Sequence, residues 1–324
     1  MPATTEFNDW KTLLDANKAE RESILSSVPA SPCTSGEQLS GAWLAWKSSY
    51  DNYSASLSTH HDTMPGTVCS VPPTGPFFDG TPYVVAATAS LPATDLSGLD
   101  RHPDTGNIWA LNEYPGKLFE CGRNGNILRT VLLNTATPNY HDLEGLAFVR
   151  REANGDDVFG IFCTVSVLTH RGLKIVTIPQ GATSVDYDAA PFIQTTKTWE
   201  ALAYTPGNDT FHVWADRDYS RFVPNGSGSY VEQFVYDPKT KPAPRVAESL
   251  DHDPAISPYL FHWQQGGTMR ETNQDTGVVV SSLVLPVTPA GKWEGACVEP
   301  GTRAVFAVRE STLGEINFLR MERS

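Results

Sequence analysis

Short apolar runs, each followed by a Pro, Gly or Asp turn and a second apolar run, recur from residue 82 to the end of the chain. The most complete copy is Trp293-Glu-Gly-Ala-Cys-Val-Glu-Pro300. Laid beside it, Trp199-Glu-Ala-Leu-Ala-Tyr-Thr-Pro206, Leu143-Glu-Gly-Leu-Ala-Phe148, Leu96-Ser-Gly-Leu-Asp-Arg-His-Pro103 and Ala247-Glu-Ser-Leu-Asp-His-Asp-Pro254 keep one order. A Glu or Ser leads, a small residue follows, and in all but the Leu143–Phe148 copy a Pro stands six residues on. The leading positions Ser97, Glu144, Glu200, Glu248 and Glu294 are spaced 47, 56, 48 and 46 residues apart. A period in the forties is that of a four-stranded propeller blade.

A second register repeats with the first. Sixteen residues after the leader stand Glu113, Asp216, Gln264 and Glu310, each closing an apolar run such as Ile108-Trp-Ala-Leu111 or Val305-Phe-Ala-Val308. In the remaining copy Glu152-Ala-Asn-Gly-Asp-Asp157 stretches the unit, so its run is Val158–Cys163 and its polar residue falls near Thr164, which predicts a longer hairpin. In the first unit Lys117–Cys121, the Asn-Gly turn at 124–125 and Ile127–Leu133 complete four strands. The last unit runs out of chain one strand short, while Pro82–Thr88 lies unclaimed ahead of the first. This strand is expected to complete the last blade and close the ring, removing open sheet edges. The expected fold is mainly β: a five-bladed propeller over 81–324, or six-bladed if an irregular stretch holds a further sheet.

Residues 1–80 do not share the repeat and read as a helical arm and linker. The stretch Thr5–Val28 has a helical composition, with Phe7, Trp10, Leu14, Ile24 and Leu25 on an approximate stripe. Leu39, Trp43, Trp46, Tyr50, Tyr53 and Leu57 then follow at spacings of 4, 3, 4, 3 and 4, a heptad seam carried mostly by aromatics. Such a seam suits a helical hairpin or a helix lying on the propeller, and equally a surface for self-association or docking into a larger assembly. Residues 59–76 read as an extended linker, and the adjacent His60 and His61 would point apart.

Composition narrows the functional classes. A formal charge of −13 lacks the clustered Lys and Arg that nucleic-acid backbones or anionic membranes require. No apolar run approaches the roughly 20 residues of a membrane span, and Met1–Trp10 has neither the basic nor the apolar region of a secretory signal. Of five cysteines none falls in a Cys-x-x-Cys pair. Cys121, Cys163 and Cys297 sit in strand patterns as expected buried thiols, and Cys33 and Cys69 are either free or bridged. No Gly-x-Ser-x-Gly elbow, Walker loop or His-Glu-x-x-His occurs, and the histidines are scattered singly.

Candidate chemistry therefore rests on the carboxylates. Brought to one mouth of the axis, Glu144, Glu200, Glu248 and Glu294, with Ser97 in the fifth place, would form an acidic ring in which each charge raises its neighbours' pKa. Ca²⁺ would compensate it; ordered water, Lys292 or Arg309 would too, and bonds to backbone N–H groups of the next blade would make the glutamates part of the repeat's architecture. Asp142 and Glu144 form an Asp-x-Glu pair. Glu113, Asp216, Gln264 and Glu310, beside Trp263 and Arg309, mark a polar, aromatic-edged face suited to a small molecule or saccharide.

The run Leu96–Glu120 together with His141-Asp-Leu-Glu-Gly-Leu-Ala147 resembles the SdiA-regulated, YjiK-like propeller family and, more loosely, the esterase-like phytase domains. The resemblance covers about residues 82–321. It implies a propeller in which acidic residues near the axis, here Asp142, Glu144, Glu113 and Glu200, hold Ca²⁺. The basic cluster of a phosphate-binding phytase site is missing, and residues 1–80 are not the signal or anchor segment usual in that family.

The leading expectation is a non-catalytic binding or assembly propeller. Its arm, residues 1–60, would dock to protein partners in a larger particle, such as a phage virion or tail, with a receptor or ligand met on a propeller face. The alternatives are a Ca²⁺-dependent hydrolase of phosphoesters, esters or lactones, and a cytoplasmic propeller scaffold.

Overall fold

The computed structural model describes residues 77–135, 142–164, 171–214, 219–226, 229–236, 249–252, 259–264, 267–287, 292–299 and 302–324. The expectations set on the arm lie outside these residues: the helix at Thr5–Val28, the seam Leu39, Trp43, Trp46, Tyr50, Tyr53 and Leu57, and the Cys33–Cys69 pair. So do Asp216 and Glu248.

Among the described residues twenty-one strands build five sheets, each the blade of one propeller. The first blade holds β2 (Leu96–Arg101), β3 (Ile108–Asn112), β4 (Lys117–Cys121) and β5 (Ile127–Asn134); the second, β6 (Leu143–Arg151), β7 (Asp157–Cys163), β8 (Gly172–Ile178) and the short β10 (Phe192–Gln194). The third is β11 (Ala201–Thr205), β12 (Thr210–Trp214), β13 (Tyr219–Pro224) and β14 (Tyr230–Tyr236). The fourth is β15 (Ser249–Asp251), β16 (Leu260–Gln264), β17 (Thr268–Thr272) and β18 (Val279–Val284). The fifth takes β19 (Trp293–Val298), β20 (Val305–Arg309) and β21 (Phe318–Arg323) from the end of the chain and β1 (Tyr83–Ala89) from the beginning. β1 pairs antiparallel with β21, from Tyr83 opposite Arg323 to Ala89 opposite Phe318. The ring is thus closed as the unclaimed N-terminal strand requires.

The extra length of the second unit is only partly a longer hairpin. β6 and β7 are longer than their counterparts, and the remainder lies in 179–191, which leaves the blade to lay β9 (Ser184–Asp186) parallel to β5 as a fifth strand of the first blade. A parallel addition leaves no sequence periodicity of its own.

The five first strands touch in sequence, β2 with β6, β6 with β11, β11 with β15, β15 with β19 and β19 with β2, so they line the axis. The small residue of the repeat makes this approach possible. A Cβ on Gly145 would stand 2.5 Å from Leu202 Cβ, and one on Gly98 2.9 Å from the Leu146 backbone N. Polar staples repeat between neighbours: Ser97 Oγ donates to Leu143 O and Ser249 Oγ to Ala296 O, while Asp100 accepts from Phe148 N–H and Asp251 from Val298 N–H. Between blades, bulky apolar side chains fill each seam. Trp109, Leu111, Phe159 and Ile161 pack between the first and second blades, and Trp199, Leu202, Phe211 and Phe222 between the second and third. Cys121, Cys163 and Cys297 are buried.

The start of the propeller is tied to its far end. Phe77 N–H donates to Glu271 at 2.8 Å and its carbonyl accepts from Arg303 and Arg323. Asn317, fully buried, accepts from Leu91 N–H at 2.7 Å and donates to Leu91 O and Ala93 O at 3.0 Å.

Candidate functional site

Antiparallel pairing puts the start of each first strand beside the end of the second: Leu96 opposite Asn112, Leu143 opposite Cys163, Ala201 opposite Trp214, Trp293 opposite Arg309. The leading and plus-sixteen residues of a blade therefore share one end of the propeller. Ser97, Glu144 and Glu294 lie in β2, β6 and β19, and Glu200 directly precedes β11.

Backbone bonds hold the acidic residues in place. Glu113 N–H donates to Asp95 O at 2.8 Å, and Thr164 N–H to Asp142 O at 2.8 Å, while the Thr164 hydroxyl binds the Asp142 carboxylate at 2.7 Å. Two groups of carboxylates follow, Asp95 with Glu113 and Glu310, and Glu113 with Asp142 and Glu144; within each group one oxygen per residue lies within 4.8 Å of the others. Glu113 belongs to both. Lys292 supplies the positive charge nearby, pairing with Glu294 and, at 3.0 Å, with Glu310.

The electrostatics follow from burial and crowding. Burial, then the charges of Glu144, Asp95, Glu294 and Asp142, push the Glu113 carboxyl up to about 9. Burial, then Asp142, Glu294 and Glu200, push Glu144 up to about 8 against the opposing pull of Lys292. Asp95 is also raised, by burial and by Glu310. For Lys292, burial alone would lower the pKa, but its bonds to Glu294 and Glu310 outweigh that and hold it above the ordinary lysine range.

The other expected face residues divide. Trp263 is fully buried and donates its ring N–H to Trp293 O at 2.7 Å, which makes it part of the seam between the fourth and fifth blades. Arg309 lies over the Trp293 ring and donates to Ile316 O at 2.7 Å. Gln264 ends β16 at the acidic end of the propeller. The sequence reading did not single out Asp95. A signal for it existed two positions before three of the leaders, where Asp95, Asp142 and Lys292 precede Ser97, Glu144 and Glu294.

Fold and site together define a five-bladed β-propeller with an acidic mouth at one end of its axis. No family model and no curated protein matches the chain. Among solved structures it is similar to a luciferin-regenerating enzyme, at 10% identity over 75% of this chain and 95% of that one, with a TM-score of 0.47. It is likewise similar to the glutaminyl cyclase of Myxococcus xanthus, at 15% identity over 75% of this chain and 98% of that one, TM-score 0.46. A third similar structure is the Cps50 (Swd1) β-propeller domain of Myceliophteria thermophila, at 10% identity over 69% and 65% of the two chains, TM-score 0.37.

Proposed function

We propose that this propeller is a divalent-cation protein whose acidic mouth takes one hard cation, with Ca²⁺ the best match, and uses it to meet an oxygen-rich small ligand. The observation that carries this reading is Glu113, one carboxyl shared by two groups of acids, its pKa pushed up first by burial and then by its acidic neighbours. The donor set fits. All the ligand atoms are carboxylate oxygens, as a hard cation prefers, and two oxygens on an ion at about 2.4 Å stand at most about 4.8 Å apart, the spacing found in both groups. Glu113, Asp142 and Glu144 would hold the ion, with Asp95 and Glu310 as the second set. Bound there, Ca²⁺ would polarise a phosphoryl or ester oxygen and acidify a coordinated water. Thr164 orients Asp142 through its hydroxyl, and Lys292 neutralises the Glu294 and Glu310 side of the mouth. The likeness of Leu96–Glu120 and His141–Ala147 to YjiK-like propellers supports the same reading.

Titration calorimetry with Ca²⁺ and Mg²⁺ tests it. Saturable Ca²⁺ binding that Glu113→Gln weakens at least tenfold is expected, and absence of binding overturns the proposal. A panel of phosphoesters, esters and lactones, run with and without chelator, then separates a hydrolase from a binding protein.

A second reading, favoured by the aromatic seam from Leu39 to Leu57, gives residues 1–60 an assembly role in a larger particle of virion type. Deleting them should release a monomer from any oligomer of the full chain; unchanged association would count against it.

A further inference from the structure

The seam between the third and fourth blades carries three histidines, at exposures of 1, 8 and 0% for His212, His252 and His262. β12 supplies His212, the residue after β15 is His252, and β16 supplies His262. His212 Nδ1 lies 2.7 Å from the Tyr219 hydroxyl and its Nε2 2.7 Å from Thr205 Oγ1, and the same threonine oxygen lies 3.0 Å from His252 Nδ1. The two imidazoles are stacked, 5.5 Å between centroids.

Arg221 gives this chain of bonds a direction. Its Nε can only donate, and it lies 3.3 Å from the Tyr219 oxygen. The phenol proton is then available to His212 Nδ1, His212 Nε2–H to Thr205, and the threonine proton to His252 Nδ1. Each donor is used once, and only while both imidazoles are neutral. Since Thr205 belongs to the third blade and His252 to the fourth, the last bond of the relay crosses the seam. His262, edge-on to Trp214 at 4.3 Å, has no hydrogen-bond partner on either ring nitrogen.

Among the described residues, the carboxylates near the three rings are each engaged with other groups. Arg221 on β13 and Arg270 on β17 are cations. Asp275 is bonded to Arg221 at 2.5 Å, Asp251 accepts from Val298 N–H in the fifth blade, and Glu271 accepts from Phe77 N–H and Ser281.

We propose that this seam is an acid-labile joint: protonating the His212–His252 pair breaks the relay and opens the propeller between its third and fourth blades while the other four seams stay closed. Burial, aided by Arg221, holds His252 down to about 4 and His212 well below its ordinary 6.5. The folded state therefore favours neutral rings. Their contribution is full above about 6.5, where the unfolded chain titrates, and is lost as the pH falls from there towards 4. For His252 alone, linkage at pH 4.5 favours opening by roughly 60-fold over pH 7.

Hydrogen exchange of the full chain at pH 7 and pH 4.5, corrected for intrinsic rates, tests this. Peptides from β11–β13 and β15–β16 are expected to gain on the order of 60-fold in opening, and those from β3–β4, β7–β8 and β20–β21 less than a few-fold. His252→Asn keeps an acceptor for Thr205 that does not titrate, and should cut the acid gain by at least tenfold. Tyr219→Phe, which breaks the relay without changing a charge, should open the same seam already at pH 7. An equal gain in all five blades, no gain at β15–β16, or an undiminished gain in His252→Asn would overturn the proposal. The wild-type comparison between blades decides it even where a variant fails to fold.

Discussion

Cation binding at the mouth must expel protons, and the number can be worked out. At pH 7 a carboxyl at about 9 and one at about 8 are about 99% and 90% protonated. A cation that takes oxygens from both Glu113 and Glu144 needs them ionised, so each binding event should release between one and two protons. The apparent Ca²⁺ affinity should then rise about ten- to a hundredfold per pH unit between 6 and 8. Calorimetry in two buffers of different ionisation enthalpy that do not bind the ion, PIPES and Tris, reads the proton count directly, and a pH series reads the slope. Glu113→Gln should lower the count by about one and flatten the slope accordingly. A buffer-independent heat with a pH-independent affinity would refute the reasoning, because the ion would then be bound without ionising the crowded pair.

Other perturbations have expected sizes. Lys292→Met removes the ammonium that competes for Glu294 and Glu310, and should tighten Ca²⁺ binding about three- to tenfold in calorimetry. Gly145→Ala forces a Cβ to 2.5 Å from Leu202 Cβ and 3.1 Å from its backbone N, and should lower the unfolding free energy by about 1–3 kcal/mol in urea titration. Asn317→Ala strands Leu91 N–H and two carbonyls beneath the closing strand. It should cost about 2–4 kcal/mol by the same measurement, and a loss below about 0.5 kcal/mol would contradict the role given to that side chain.

The blades were legible in the sequence because each repeats one physical requirement. Gly98, Gly145 and Gly295 recur where first strands come too close for a Cβ, and the Pro that follows opens the turn to the second strand, as at Pro103 and Pro206. The closing strand was legible by subtraction, since the last unit lacked one strand and one was unused. The site was less so. Glu113 was visible as a plus-sixteen residue, but its place between Asp95, Asp142, Glu144 and Glu310 depends on how neighbouring blades stack, which no single unit encodes. Trp263 reads as an exposed strand end in a linear pattern, yet the bond to Trp293 O buries it. The histidine seam was invisible for the same reason: His212, His252 and His262 are scattered in the chain and meet only where two blades abut.

The acidic mouth and the histidine seam titrate in opposite directions, and their combination predicts a stability profile. Glu113 and Glu144 are raised in the folded state, so their contribution is full below about 4.5 and is lost as the pH rises towards 8 and 9. His212 and His252 are lowered, so theirs is lost as the pH falls from about 6.5 towards 4. Without a divalent ion, thermal unfolding should therefore give a maximum between about pH 5.5 and 7, with an acid limb and an alkaline limb. Ca²⁺ replaces the protons on the carboxylates and should lift the alkaline limb while leaving the acid limb in place. His252→Asn should do the reverse. A scan in which Ca²⁺ raises both limbs equally would show that the two regions do not act independently. A scan in which it raises neither would remove the mouth as a cation site.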